Sequence, residues 1–209
     1  MWAYAYDHYI DEYDYFYICG DDMYVVVDNL RAYLDGPDVR SLLDGYLDPL
    51  TMAYDAAKAR GWLTNATGRP RPLVLGLPLF LGNRPFPSRG SGYVLNRAAL
   101  QLLGEVGLPS FRAHDVTSQE DVCIGDFFAS QGIHCAMFLD KTGARKFGAW
   151  MERYWQRRFK IPIKYGLDAV AEQRISMHLK GSRGGKSALP YVIRHYDAVL
   201  WGLCNSTTL

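Results

Sequence analysis

The chain has 209 residues, 49% apolar and 14% aromatic, which is enough for one well-buried domain and too few to indicate two. The net charge is only +1, yet residues 1–60 carry 12 acidic and 4 basic side chains, whereas residues 141–186 carry 3 acidic and 12 basic ones. These basic residues follow no nucleic-acid-binding motif, so we predict no nucleic-acid partner. The uneven charge suits a divalent cation bound with a phosphorylated ligand, or simply two solvated faces.

The cysteines and the apolar stretches restrict the class of protein further. No apolar stretch reaches the ~20 residues that a membrane-spanning helix needs. The cysteines are Cys19, Cys123, Cys135 and Cys204. They contain no CxxC pair, which argues against a zinc knuckle, and their spacing leaves any disulfide pairing open.

The hydrophobic pattern predicts helices and strands that alternate along the chain. Helices are predicted at residues 2–12, 28–34, 38–62, 96–106, 118–131 and 189–203. Strands are predicted at residues 13–19, 73–80, 133–140 and 175–179. Loops are predicted at residues 65–72 and 81–92, and a loop with a short helix at residues 150–164. Gly, Pro and Arg are so frequent in residues 81–92 that we expect no regular structure there. This alternation indicates an α/β domain.

In two of the predicted helices, aromatic or apolar residues lie on one side. The apolar face of the first helix is formed by Trp2, Tyr6 and Tyr9. The apolar face of the helix at residues 96–106 is formed by Leu100, Leu103 and Val106.

Two adjacent carboxylates, Asp21 and Asp22, directly follow the strand predicted at residues 13–19. Neighbouring carboxylates repel each other unless a cation or hydrogen-bond donors offset the charge. A divalent metal bound to a diphosphate would be such a cation. An ordinary acidic turn explains the pair equally well.

A second acidic motif, Ser-Gln-Glu-Asp, occupies residues 118–121. Ser118 followed three positions later by Asp121 resembles a capping box, and the residues alone favour that structural role. In the functional interpretation one carboxylate is a general base that takes a proton from an acceptor hydroxyl.

Two further features are weak when taken singly. His178 lies on the polar face of its predicted strand, and His together with Asp suits Mn²⁺. The glycines of Arg89-Gly90-Ser91-Gly92-Tyr93 would let the backbone approach a ligand, although a flexible turn has the same composition.

The order of these motifs resembles the fringe-like family of β-1,3-glycosyltransferases, and within it the core 1 glycoprotein-N-acetylgalactosamine 3-β-galactosyltransferases. The matching segments are FYICGDDMYVVVDNLR, GSGYVLNRAAL, QEDVCIG and EQRISMHLK. The resemblance covers residues 2 to about 200. It implies a GT-A fold, a UDP-sugar donor, Mn²⁺, a DXD-type motif and inversion at the anomeric carbon. It also implies a glycoprotein acceptor and a location on the lumenal side of the Golgi membrane. It is compatible with a homodimer.

The resemblance assigns a role to each motif. Asp22 and His178 would bind Mn²⁺, with Asp21 supporting the ribose or the metal. Asp121 would be the general base, and Glu120 would contact sugar hydroxyls. The donor and acceptor pocket would be lined by Gly90, Ser91, Gly92 and Tyr93.

Some positions depart from the family pattern. Gly20 replaces the first Asp of the usual triplet, so metal binding would depend on fewer carboxylates. Arg89 and Ser91 replace a Gly and an Ala, and Met177 replaces a Phe. The family places much of its nucleotide-binding half before the metal motif, but only 20 residues precede Asp21 here. We therefore expect residues 1–209 to be one N-terminally truncated catalytic domain.

Two alternatives remain open on the sequence. A non-catalytic relative could keep the fold and bind glycans or a partner enzyme. A phosphohydrolase using Asp21 and Asp22 is less favoured, because further His or Asp ligands for a second metal are missing.

Overall fold

The computed structural model describes residues 1–21, 23–43, 71–111, 119–139, 145–148 and 174–178, with the backbone alone for Met177 and His178. These residues form a mixed α/β arrangement with a mixed sheet flanked by helices, as the pattern predicts. The predictions for residues 44–70, 150–164 and 189–203 lie outside the described residues.

The main sheet has four strands: β1 (Tyr15–Ile18), β3 (Val74–Gly76), β6 (Tyr93–Asn96) and β7 (Cys135–Ala136). Their order is β1-β6-β3-β7. β6 is antiparallel to both of its neighbours, whereas β3 and β7 are parallel. Strand β6 is therefore central and hydrogen-bonded on both edges.

A second sheet has three strands: β2 (Met23–Val25), β8 (Phe147–Gly148) and β9 (Ser176–His178). β9 lies in the middle, antiparallel to β2 and parallel to β8. A separate hairpin joins β4 (Pro78–Leu81) to β5 (Arg84–Pro87).

The described helices are α1 (Trp2–Tyr9), α2 (Val27–Leu34), α3 (Pro37–Leu43), α4 (Arg97–Leu102), α5 (Leu108–Ser110) and α6 (Glu120–Ser130). A π-helical turn at Leu103–Gly107 joins α4 to α5. Asn96 begins α4 as its N-cap, and its side-chain oxygen accepts a hydrogen bond from the Ala99 N–H at 2.9 Å.

Two hydrophobic clusters lie on opposite faces of the main sheet. Val94 and Leu75 belong to the cluster beneath α2 and α3. Tyr93, whose strand position alternates with that of Val94, belongs to the cluster beneath α1, α4 and α6. Because both faces are covered, all four residues of β6 are buried.

The segment at residues 73–92 differs from the prediction. The strand predicted at residues 73–80 divides at Leu77 into β3 and β4, which lie in different sheets. Residues 81–92 are not irregular, since they contain β5 and a 3₁₀ turn at Arg89–Ser91. Gly82, with φ of 62°, provides the tight turn that lets β5 pair with β4 despite its two prolines.

In each of the two helices with an aromatic or apolar side, one residue of that side is exposed. Val106 is 47% exposed, because the wider π turn rotates the helix and brings Gly107 to the core instead. Tyr9 is 38% exposed, while Trp2 is buried.

Candidate functional site

The strand pairing of the second sheet brings two of the predicted metal-binding segments together. In the antiparallel ladder between β2 and β9, Met23 lies opposite His178. Met23 directly follows the Asp21-Asp22 pair, and Asp21 itself is exposed. Residues directly opposite in such a ladder have Cα atoms roughly 4.5–5.5 Å apart. The backbone therefore places His178 beside the end of the acidic pair.

The fit of a metal ion to this position rests on backbone placement and on donor chemistry. Asp22 and the side chain of His178 lie outside the described residues. Among the side chains that the structure does describe, no three His, Cys, Asp or Glu residues form a group that could hold a metal ion. Carboxylate oxygen and imidazole nitrogen are nonetheless a donor pair that suits Mn²⁺.

Asp121 lies in the first turn of α6 and contacts the glycine-rich turn. Its Oδ2 accepts a hydrogen bond from the Arg89 N–H at 3.0 Å, and its Oδ1 accepts one from the Val122 N–H at 3.0 Å. The N-cap of α6 is Gln119, whose side chain makes no capping hydrogen bond. The helix therefore begins one residue later than the capping box predicts. Asp121 instead binds the backbone of a residue that is far from it in sequence.

Glu120, the neighbour of Asp121, is held by two aromatic side chains. Its Oε1 accepts hydrogen bonds from Trp2 Nε1 at 2.8 Å and from the Tyr93 hydroxyl at 2.6 Å. Trp2 Nε1 also lies 3.0 Å from the Tyr93 oxygen. The other oxygen, Oε2, is buried and makes no hydrogen bond to the described residues. One oxygen of this carboxylate is thus fixed, and the other receives no hydrogen bond from the part of the chain that the structure describes.

The turn at residues 89–92 connects three parts of the fold. The carbonyl of Ser91 accepts hydrogen bonds from the Tyr17 hydroxyl of β1, at 3.2 Å, and from the Ser176 hydroxyl of β9. The Ser91 hydroxyl donates a hydrogen bond to the Ser88 carbonyl at 3.0 Å. Since Arg89 is bound to Asp121, this turn joins α6 to both sheets.

Glycine is required at position 92. Its φ is 70°, a left-handed conformation that other residues adopt at a cost. A Cβ at this position would also overlap the phenol of Tyr17. The absence of a side chain thus allows Tyr17 to reach the Ser91 carbonyl.

Burial keeps both tyrosines of the site protonated. It is the main cause that raises the pKa of Tyr17 and of Tyr93 far above the usual value. The charge of Glu120 raises the pKa of Tyr93 further. Both phenols are therefore neutral hydrogen-bond donors at ordinary pH.

The turn at residues 89–92 is in contact with segments that carry two of the other predicted site residues. Asp121 meets the turn containing Gly90, and the same turn meets β9, which ends in His178. Ser91, Gly92 and Tyr93 are buried rather than open to solvent.

The sequence analysis did not include Trp2, Tyr17 or Ser176 among the residues of the candidate functional site. A useful signal for Trp2 is general: a buried indole N–H requires an acceptor, and here the acceptor is Glu120.

No described helix is both long enough and apolar enough to cross a membrane. When the sequence is compared with the models of known protein families, none of them matches.

Proposed function

We propose that the chain is the metal-binding and catalytic part of an inverting, Mn²⁺-dependent glycosyltransferase with a GT-A-type fold, related to the fringe-like β-1,3-glycosyltransferases. The observation that supports this most directly is the register of β2 and β9. It sets His178 opposite the residue that follows Asp21 and Asp22.

In this proposal Asp121 removes the proton from an acceptor hydroxyl. As it loses this proton, the acceptor oxygen attacks the anomeric carbon of the donor. The bond from that carbon to UDP breaks at the same time, so the configuration inverts. Hydrogen bonds from the N–H groups of Arg89 and Val122 orient the Asp121 carboxylate. When bound by Asp22 and His178, Mn²⁺ would neutralise charge on the UDP leaving group.

The resemblance supplies the substrates of the proposal. The transferred hexose is galactose, the acceptor is the 3-hydroxyl of O-linked N-acetylgalactosamine on a glycoprotein, and the reaction occurs in the Golgi lumen at its membrane. The donor would be supported by Asp21, Gly90, Ser91, Gly92 and Tyr93.

A non-catalytic binding module is the second candidate, and the contacts of Glu120 favour it. Its Oε1 already accepts from Trp2 and Tyr93, which leaves the carboxylate less free to contact a sugar. Such a module would bind glycans or a partner without turnover.

The test uses the 209-residue chain with UDP-galactose, Mn²⁺ and an aryl α-N-acetylgalactosaminide as acceptor. We expect transfer by the wild type and a loss of roughly 10²- to 10⁴-fold for Asp121→Asn, as for removal of a general base. Binding of UDP with Mn²⁺, followed by calorimetry, should persist in Asp121→Asn and fall in His178→Ala.

Asp28→Asn is the matched control, because Asp28 also lies in the first turn of a helix but is exposed on α2. Glycan binding without transfer would favour the binding module. The absence of both transfer and Mn²⁺-dependent UDP binding would contradict the proposal for this chain.

A further inference from the structure

Helix α1 and the turn after it carry an exposed group of rings, here called the aromatic surface: Tyr4, His8, Tyr9 and Tyr13. The exposed fractions are 59% for Tyr4, 38% for Tyr9 and 53% for Tyr13. Ring centroids are 4.3 Å apart for Tyr4 and His8, 5.8 Å for Tyr4 and Tyr9, and 6.1 Å for Tyr9 and Tyr13. The rings therefore form one continuous surface rather than scattered single side chains.

The aromatic surface is held in place from below. Trp2, on the inner side of α1, is buried and bound to Glu120 and Tyr93. The ring of Tyr9 packs edge-on against the ring of Tyr4, with an interplanar angle of 68°. A ligand would thus meet rings that are already ordered, which lowers the entropic cost of binding.

The charge around the aromatic surface is negative. Asp7, Asp11 and Glu12 are exposed in the same segment, and residues 1–30 contain seven acidic residues and no Lys or Arg. Arg97 reaches this segment, but its guanidinium lies 3.1 Å from the Asp14 carboxylate, so these two charges offset each other. The uncompensated charge therefore remains acidic.

We propose that the aromatic surface binds a Lys- or Arg-bearing segment of a protein partner. Ammonium and guanidinium groups are attracted to the faces of tyrosine rings, and the surrounding carboxylates add a complementary charge. A neutral glycan would stack on the same rings but would gain nothing from the carboxylates. The inference does not depend on the proposed transferase chemistry, since it involves neither Asp121 nor the metal ligands.

The experiment measures binding of a fluorescent peptide of alternating Lys and Gly by anisotropy, at low ionic strength. We expect saturable binding to the wild type that weakens as salt is added. The double variant Tyr4→Leu with Tyr9→Leu keeps apolar side chains but removes two ring quadrupoles. It should weaken binding on the order of fivefold to thirtyfold, as for the loss of two exposed cation–π contacts.

Controls separate the contributions of rings and charge. Phe80→Leu alters an exposed aromatic residue on the β4–β5 hairpin, remote in sequence from α1, and should leave the affinity unchanged. Asp11→Asn with Glu12→Gln should weaken binding and flatten its salt dependence. The same peptide with acetylated lysines should not bind.

Unchanged affinity in the tyrosine double variant would overturn the proposal. So would equal binding of the acetylated peptide or of a neutral N-acetylglucosamine tetramer, because the surface would then recognise apolar or sugar faces rather than cations. Thermal melting of each variant is the control for folding, and we expect these exposed substitutions to leave the melting temperature nearly unchanged.

Discussion

The phenol of Tyr93 donates a hydrogen bond to Glu120 Oε1 across 2.6 Å, joining the central strand of the main sheet to the first residue of α6. Trp2 donates to the same oxygen from α1. The three side chains are therefore a polar junction inside an otherwise apolar cluster.

Replacing Tyr93 by Phe should destabilise the fold. The substitution removes the hydroxyl but keeps the ring, so the partly buried Glu120 carboxylate loses one of its two described donors. Hydrogen bonds to charged groups contribute about 1.5–3 kcal/mol, and we expect a loss of that size in the free energy of unfolding measured with urea. Tyr4→Phe, which removes an exposed hydroxyl, should change stability by less than about 0.5 kcal/mol. Equal effects in the two variants would show that the junction contributes nothing.

Replacing Gly92 by Ala should cost more than replacing Gly82 by Ala. Both glycines have positive φ, 70° and 62°, so both variants incur the cost of a left-handed backbone, about 1 kcal/mol or more. At Gly82 there is nothing within 4 Å of an added Cβ, whereas at Gly92 the Cβ would overlap Tyr17. The difference between their unfolding free energies measures this overlap, and similar values for the two variants would refute it.

Asn96→Ala should be among the more damaging polar substitutions. Asn96 Oδ1 accepts from the N–H groups of Ala99 and Leu73, at 2.9 and 2.8 Å, and its Nδ2 donates to the Arg71 carbonyl at 2.7 Å. Removing a helix cap and leaving a buried N–H unsatisfied should together cost about 2–4 kcal/mol. Asn83→Ala, at an exposed turn position, serves as the control in the same urea titration, and a comparable loss there would contradict this account.

Stability should fall in acid partly because of His134. Burial lowers the pKa of this imidazole below its usual 6.5. As pH falls through 6.5, the unfolded chain takes up a proton more readily than the folded one, so this contribution to stability is present above 6.5 and is lost below it. The measurement is the free energy of unfolding of wild type and His134→Gln across this range. A difference that stays constant with pH would contradict the prediction.

Local patterns predicted the elements whose residues and partners are close in sequence. The strand at residues 13–19 and the helix at residues 28–34 match β1 and α2 to within one or two residues. By contrast, β6 has four buried residues and no alternation of polar and apolar ones, so no period marks it as a strand. The π turn after α4 is equally invisible, since one extra residue per turn leaves no mark in the composition.

The candidate site divides in the same way. Asp21, Asp121 and His178 can be selected because their neighbours in sequence resemble known motifs. The contact of Trp2 with Glu120 spans 118 residues, and that of Ser91 with Ser176 spans 85, so tertiary packing alone creates them. No short segment of the sequence contains both residues of either contact.

The carbonyl of Ser91 accepts hydroxyls from Tyr17 in one sheet and from Ser176 in the other. Any shear of one sheet past the other must stretch at least one of these bonds, and a separation of the two sheets must break at least one of them. The turn at residues 89–92 therefore acts as a mechanical coupling. A displacement that begins at the strand bearing His178 is transmitted along the backbone of residues 89–91 to the helix that carries Asp121.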